Sequence, residues 1–144
     1  MILYLDASAL VKRYIQETGS IAVNEWIDSA RLLTTGLVTR VEVAAAIARL
    51  VRMKVVEKNE AERIVNIFRE EWESLVRLPI MDTTVVRADR LSWQHGLRGY
   101  DAVHLASALI WRETLARPVH LATYDRELWQ AGKVEGLLML PEVL

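Results

Sequence analysis

The sequence predicts one α/β domain, a three-layer α/β/α sandwich whose central sheet is mostly parallel. Two observations carry that expectation. Short apolar runs rich in β-favouring residues alternate with stretches of helical period, the order of a parallel sheet covered on both faces. The chain of 144 residues has single-domain length and can bury roughly two-thirds of its unfolded surface. No repeat, low-complexity tract or linker divides it, so the domain is expected to span residues 1–144.

The elements follow in order. Ile2 to Leu5 is a short apolar run ending at Asp6, as a buried strand does where the chain turns into a helix. A helix over Ala7 to Tyr14 comes next, then the break Glu17-Thr18-Gly19-Ser20. Ser20 is the expected N-cap of an amphipathic segment that turns Ile21, Val23, Trp26 and Ile27 towards a core. Leu32 to Thr35 reads as the second strand. Gly36 opens an alanine-rich helix from Leu37 to Met53, and a second helix, Val56 to Leu75, returns antiparallel to it. Val76 to Ile80 is a brief strand, Asp82 caps a helix running to Trp93, and His95 to Gly99 is a loop. The next helix runs from Tyr100 to Leu115 and is stopped by Pro118. Val119 to Ala122 is another buried strand, Asp125 to Gln130 a short helix, and Leu137 to Leu140 the last strand.

Composition narrows the chemistry. The absence of cysteine removes disulfides, thiolate zinc sites and cysteine nucleophiles, so a metal would have to be held by oxygen or imidazole. The opening Met-Ile-Leu-Tyr-Leu-Asp lacks a basic segment ahead of its apolar run, unlike a signal peptide. No apolar run approaches the roughly 20 residues of a bilayer-crossing helix, and the expected location is cytoplasmic, with no membrane partner. The net charge of −1 argues against a protein that coats nucleic acid by bulk electrostatics. An enzyme using local contacts remains.

In a parallel sheet, ligands bind at the carboxyl ends of the strands. Asp6 and Asp125 fall there, and the segments Asp6-Ala7-Ser8 and Thr123-Tyr124-Asp125 each carry a hydroxyl as well. The competing reading of both acids is helix capping. Glu42 is more telling, because its neighbours at i±3 and i±4, Val38, Thr39, Ala45 and Ala46, offer no cation. Asp101 lies in the first turn of its helix, where an anion is favoured. Brought to one end of the sheet, four carboxylates would repel one another and call for a cation. An oxygen-only set suits Mg²⁺ or Mn²⁺, and such ions serve phosphodiester hydrolysis. His104, one turn after Asp101, reads as a packed, hydrogen-bonded residue. Trp26, Trp72, Trp93, Trp111 and Trp129 are scattered and read as core or interface anchors, not as a base-stacking platform.

Four segments together resemble the PIN-domain family, and specifically the VapC-type ribonuclease toxins of toxin–antitoxin pairs. They are Tyr4-Leu5-Asp6-Ala7-Ser8-Ala9-Leu10, Thr39-Arg40-Val41-Glu42-Val43, the stretch Leu97 to Ala106 containing Gly99-Tyr100-Asp101-Ala102-Val103-His104, and Thr123 to Leu128. The resemblance implies a parallel PIN-like sandwich and makes Asp6, Glu42, Asp101 and Asp125 the catalytic and metal-binding set, with Ser8 and Thr123 as supporting hydroxyls. It further implies Mg²⁺ or Mn²⁺, an RNA substrate, a homodimer, and a small antitoxin partner that occupies the active-site groove. Two other functions compete. A haloacid-dehalogenase-like phosphatase also places an Asp after its first strand, but would have a second Asp at position 8, where this chain has Ser8. A non-enzymatic, metal-stabilised interaction module is the other.

Overall fold

Successive side chains of a strand point to opposite faces, and in β1 (Ile2–Leu5) both faces are apolar. Leu3 and Leu5 pack on one side and Tyr4 on the other, all fully buried. Such a strand belongs inside a sheet covered on both sides. The computed structural model, which describes residues 1–144, places it there. β1 pairs in parallel with β2 (Leu32–Gly36) on one side and with β4 (His120–Ala122) on the other. β3 (Val76–Leu78) extends the sheet beyond β2, and β5 (Leu138–Leu140) extends it beyond β4. The order is therefore β3-β2-β1-β4-β5, with every pair parallel.

Seven helices cover the two faces: α1 (Ala7–Leu10), α2 (Ser20–Ser29), α3 (Thr39–Arg52), α4 (Lys58–Glu71), α5 (Asp82–His95), α6 (Gly99–Leu115) and α7 (Arg126–Val134). One core lies under α5, α6 and α7, where Tyr4, Leu121 and Met139 of the sheet meet Leu91, Leu105, Leu109 and Leu128. The other lies under α1 to α4, where Leu3, Leu5, Ala122 and Leu140 meet Leu10, Val43, Ile47 and Phe68. The expected three-layer sandwich is present, and its sheet is wholly parallel.

Several boundaries differ from expectation for identifiable reasons. Gly19, with φ +94°, occupies the cap of α2 in place of Ser20. The Ser20 hydroxyl is taken up by the preceding loop, donating to the Ile15 carbonyl at 2.9 Å and accepting from the Glu17 N–H at 3.0 Å. Met81 rather than Asp82 caps α5, and there the Thr84 hydroxyl accepts from the Met81 N–H at 3.4 Å. α4 gives way to a 3₁₀ turn over Trp72–Ser74, with Trp72 buried edge-on against Phe68. β3 stops at Leu78 because Pro79 cannot donate to a ladder. α7 runs past Gln130 to Val134, since Ala131 and Gly132 pack on the sheet. A Cβ at Gly132 would lie 2.7 Å from the Met139 sulfur.

The chain builds β2 and β3 to one side of β1 and then crosses back to place β4 on the other. The reversal of strand order between β1 and β4 opens a crevice at their carboxyl ends, the usual binding position in such sheets.

Leu121, fully buried under α6 and α7, tests this packing. Leu121→Ala should lower stability by about 2–5 kcal/mol, the range for truncating a buried leucine. Urea denaturation would register it, and a loss below about 1 kcal/mol would contradict a close-packed core at this strand.

Candidate active site

Asp6 follows β1 and caps α1, its Oδ1 accepting from the Ala9 N–H at 2.8 Å. Capping does not use up the group. Its Oδ2 accepts from the Thr123 hydroxyl at 2.6 Å, and the Ser8 Oγ lies 2.8 and 2.9 Å from the two oxygens. Each hydroxyl also accepts a backbone bond, Ser8 from the Tyr124 N–H at 2.8 Å and Thr123 from the Asp125 N–H at 3.0 Å. Ser8 and Thr123 therefore tie the loop after β4 to Asp6. Burial pushes the Asp6 pKa above the ordinary carboxylate range, against the opposing pull of the His104 charge and the bonds from Thr123, Ala9 and Ser8.

Asp125 comes to the same crevice as the cap of α7, accepting from the Leu128 N–H at 3.0 Å. Asp101 enters from the first turn of α6. Arg98 lies between these two acids. Its Nη2 donates to Asp125 Oδ2 at 2.6 Å and its Nε to Asp101 Oδ2 at 3.0 Å, while its side chain stays 73% exposed. A contact so open to solvent is a weak tether. Partial burial, followed by the Asp125 charge, raises the Asp101 pKa, and the bond and charge of Arg98 oppose that rise.

Glu42, in the first turn of α3, has no cation at i±3 or i±4 along the chain, but it has a partner from α6. His104 Nε2 lies 2.7 Å from Glu42 Oε2, and His104 Nδ1 lies 2.9 Å from the Tyr4 hydroxyl. His104 is 1% exposed. Gly36 makes room for the pair, since a Cβ there would lie 2.9 Å from the Tyr4 oxygen and 3.7 Å from the imidazole. With Tyr4 donating to Nδ1 and Nε2–H donating to Glu42, the chain of bonds holds one Glu42 oxygen and leaves the other free. Burial lowers the His104 pKa, but the Glu42 bond and the charges of Asp6, Glu42 and Asp101 outweigh it, and the net shift is upward. His104 is thus the packed, hydrogen-bonded residue that its neighbours suggested. Its tie to Glu42 is what the sequence left unread, and the available signal was its i+3 spacing from Asp101 on one helical face.

All four acids share one electrostatic neighbourhood. His104 feels Asp6, Glu42 and Asp101, and Asp101 feels Asp125. No three acidic or imidazole side chains converge closely enough to hold an ion as they stand. The donor set is still the kind that a hard divalent cation takes, carboxylate oxygens with hydroxyls nearby and no thiolate. A positive group already lies among them, because the Arg98 guanidinium spans Asp101 and Asp125. The remaining histidines lie elsewhere: His95 pairs with Glu135 at 2.8 Å, and His120 sits in β4. Trp72 is a core anchor, whereas Trp93 is 93% exposed.

Residues 3–134 match the family model described as PIN domain. Two Mycobacterium tuberculosis proteins, Ribonuclease VapC45 and Ribonuclease VapC49, are each 31% identical over 144 residues, covering 99% of this chain and 97% of theirs. The fold is similar to that of PAE2754 from Pyrobaculum aerophilum, with a TM-score of 0.66 and 24% identity over 96% of this chain and 83% of that one. It is also similar to a chain of VapBC2 from Rickettsia felis bound to a DNA fragment from their promoter, with a TM-score of 0.64 and 13% identity over 96% of this chain and 97% of that one. A chain of a toxin–antitoxin complex from Klebsiella pneumoniae gives a TM-score of 0.63 at 17% identity, covering 87% of each. No helix is long and apolar enough to cross a membrane.

Asp6, Asp101 and His104 all have pKa values raised by folding. For each, the folded state binds the proton more tightly than the unfolded chain. The stability they add is complete below the ordinary values of about 4 for Asp and about 6.5 for His, and is lost as the pH climbs through the raised ones. Without added divalent cation the protein should melt higher in mildly acid than in mildly alkaline solution. Asp6→Asn should flatten this slope and melt at or above wild type at the alkaline end. Parallel slopes for the two proteins would show that Asp6 carries no such strain.

Proposed function

As the chain belongs to the PIN-domain family, we propose that it is a metal-dependent endoribonuclease, the toxin of a type II toxin–antitoxin pair. The observation that carries this reading is the gathering of Asp6, Glu42, Asp101 and Asp125 around one crevice, with an arginine lodged between two of them. The names of the Mycobacterium relatives support the ribonuclease activity. The solved toxin–antitoxin complexes of similar fold support a small antitoxin partner. A homodimer in the cytoplasm completes the proposal.

The four acids are the groups that would hold Mg²⁺ or Mn²⁺. Such a cation, when bound, lowers the pKa of water and stabilises charge developing on a phosphodiester. The chain's own residues do the rest. Ser8 and Thr123 orient the Asp6 carboxylate and favour its ionised form. Tyr4 and His104 fix one oxygen of Glu42 and leave the other towards the crevice. Arg98 keeps an exposed guanidinium beside Asp101 and Asp125, and a counter-ion held by those acids would leave it available to pair with an RNA phosphate. A phosphatase with a nucleophilic Asp6 is disfavoured, because Ser8 stands where such an enzyme would have its second Asp.

Asp6→Asn and Asp101→Asn should each reduce cleavage of single-stranded RNA by more than about a hundredfold, the upper range for residues that merely support a metal site. Circular dichroism should show both variants folded. Cleavage at the wild-type rate by both would end the proposal. For the toxin role, expression of wild type alone should arrest growth and either variant should not.

Metal binding has its own readout in melting curves. At about 100 times its dissociation constant, Mn²⁺ should stabilise wild type by roughly 2.7 kcal/mol, a melting shift of about 5–10 °C for a domain of this size. Asp6→Asn should gain distinctly less. Equal shifts in the two proteins would exclude Asp6 as a ligand.

A further inference from the structure

From the acidic crevice a cavity of about 780 Å³ opens into the seam between α5 and α6. Glu42, Arg98 and Asp101 line its near end. Val85 and Ala88 of α5 face Val103 of α6 farther in, and Tyr100 and Asp89 complete the wall. The proposed chemistry uses only the near end. A strand whose phosphate lies at the acids must place a ribose and base within one nucleotide's length of them, and the cavity volume is in the usual small-ligand range of about 300–1,000 Å³.

We propose that this recess is a base-binding subsite for the nucleotide beside the scissile phosphate, and that the base it takes is guanine. The inference rests on the ribonuclease reading. Tyr100 is 60% exposed and has no aromatic neighbour, which leaves a ring face for a base to stack on. Val85, Ala88 and Val103 supply an apolar surface for the rest of the ring. Asp89 supplies selectivity. It is exposed and takes part in none of the chain's ion pairs. An ionised carboxylate is a pure acceptor with two oxygens side by side. Guanine alone among the four bases offers two adjacent donors, N1–H and the 2-amino group. Adenine and cytosine set a donor beside an acceptor, and uracil flanks its single N–H with two carbonyls. Arg98, between the recess and the acids, lies where the connecting phosphate would pass.

The four nucleoside 5′-monophosphates serve as probes, titrated with Mg²⁺ into the full chain and followed by ¹H–¹⁵N NMR. GMP should bind most tightly and shift the amides of Ala88, Tyr100 and Val103. Tyr100→Ala should weaken GMP binding on the order of tenfold, within the range for losing one stacking partner, and Tyr100→Phe should restore it. Asp89→Asn should abolish the preference for GMP over AMP. Wild type should also cut a mixed-sequence single-stranded RNA beside guanines, and Asp89→Asn should lose that bias. RNA cleavage without guanine bias, or nucleotide shifts outside the recess, would overturn the subsite and leave the ribonuclease reading intact. GMP held in the recess by a protein that cuts no RNA would support the subsite and sink the ribonuclease reading instead. Recess signals that respond to protein concentration but not to GMP would make the cavity an interface between copies, and the proposal would fall.

Discussion

Burying an ionised carboxylate costs several kcal/mol unless hydrogen bonds replace the lost water, and Asp6 is buried at the end of the central strand. Much of the local architecture meets that requirement. The first turn of α1 supplies the Ala9 N–H, and Ser8 and Thr123 supply hydroxyls from two different segments. Because those hydroxyls also accept the Tyr124 and Asp125 N–H groups, the solvation of Asp6 sets the path of the loop that follows β4. Asp125 is placed by the same bonds, and it then caps α7. Strand, helix start, loop and second acid are one hydrogen-bonded unit across the point where the strand order reverses.

A second polar line starts from Tyr4 of β1. Tyr4 points into the core under α6, where its hydroxyl meets His104, and His104 reaches Glu42 on α3. Each link is buried or half-buried, so breaking one strands a polar group away from water. The absence of a side chain at Gly36 gives Tyr4 and His104 the space they need. Tyr4 lies in β1 and Asp6 directly after it, so both networks are anchored within two residues of one another. β1 is therefore the element that holds the two halves of the site in register.

The fold was legible because its signals are local. Alternating strands and helices, the position of Asp6 after Leu5, and the helical period of α5 and α6 all lie in short windows. The acids were legible for the same reason, since each sits at a strand end or in a first turn. What escaped depends on contacts between distant segments. His104 meets Glu42 across 62 residues of chain, and Arg98 meets Asp125 across 27. The cap at Gly19 was missed because Ser20 looks like a better one, until its hydroxyl is found bonded to Ile15. Capping leaves room for a site role at Asp6 and Asp125, because a carboxylate has lone pairs for both.

Charge at the crevice constrains how a polyanion could enter it. Two carboxylates about 4 Å apart repel by roughly 4 kcal/mol at an effective dielectric near 20, and here four acids share a neighbourhood with Arg98 as their exposed positive partner. His104 is committed to Glu42 deep in the wall, so Arg98 is the one cation at the opening. While it bridges Asp101 and Asp125 its charge is shared between two acids, and without it the opening is wholly negative. With a net charge of −1 the rest of the surface offers no general attraction to nucleic acid. On the proposed function, a second positive charge held by the acids would leave more of the Arg98 guanidinium for a phosphate, so that one exposed arginine would serve the acids and the substrate in turn.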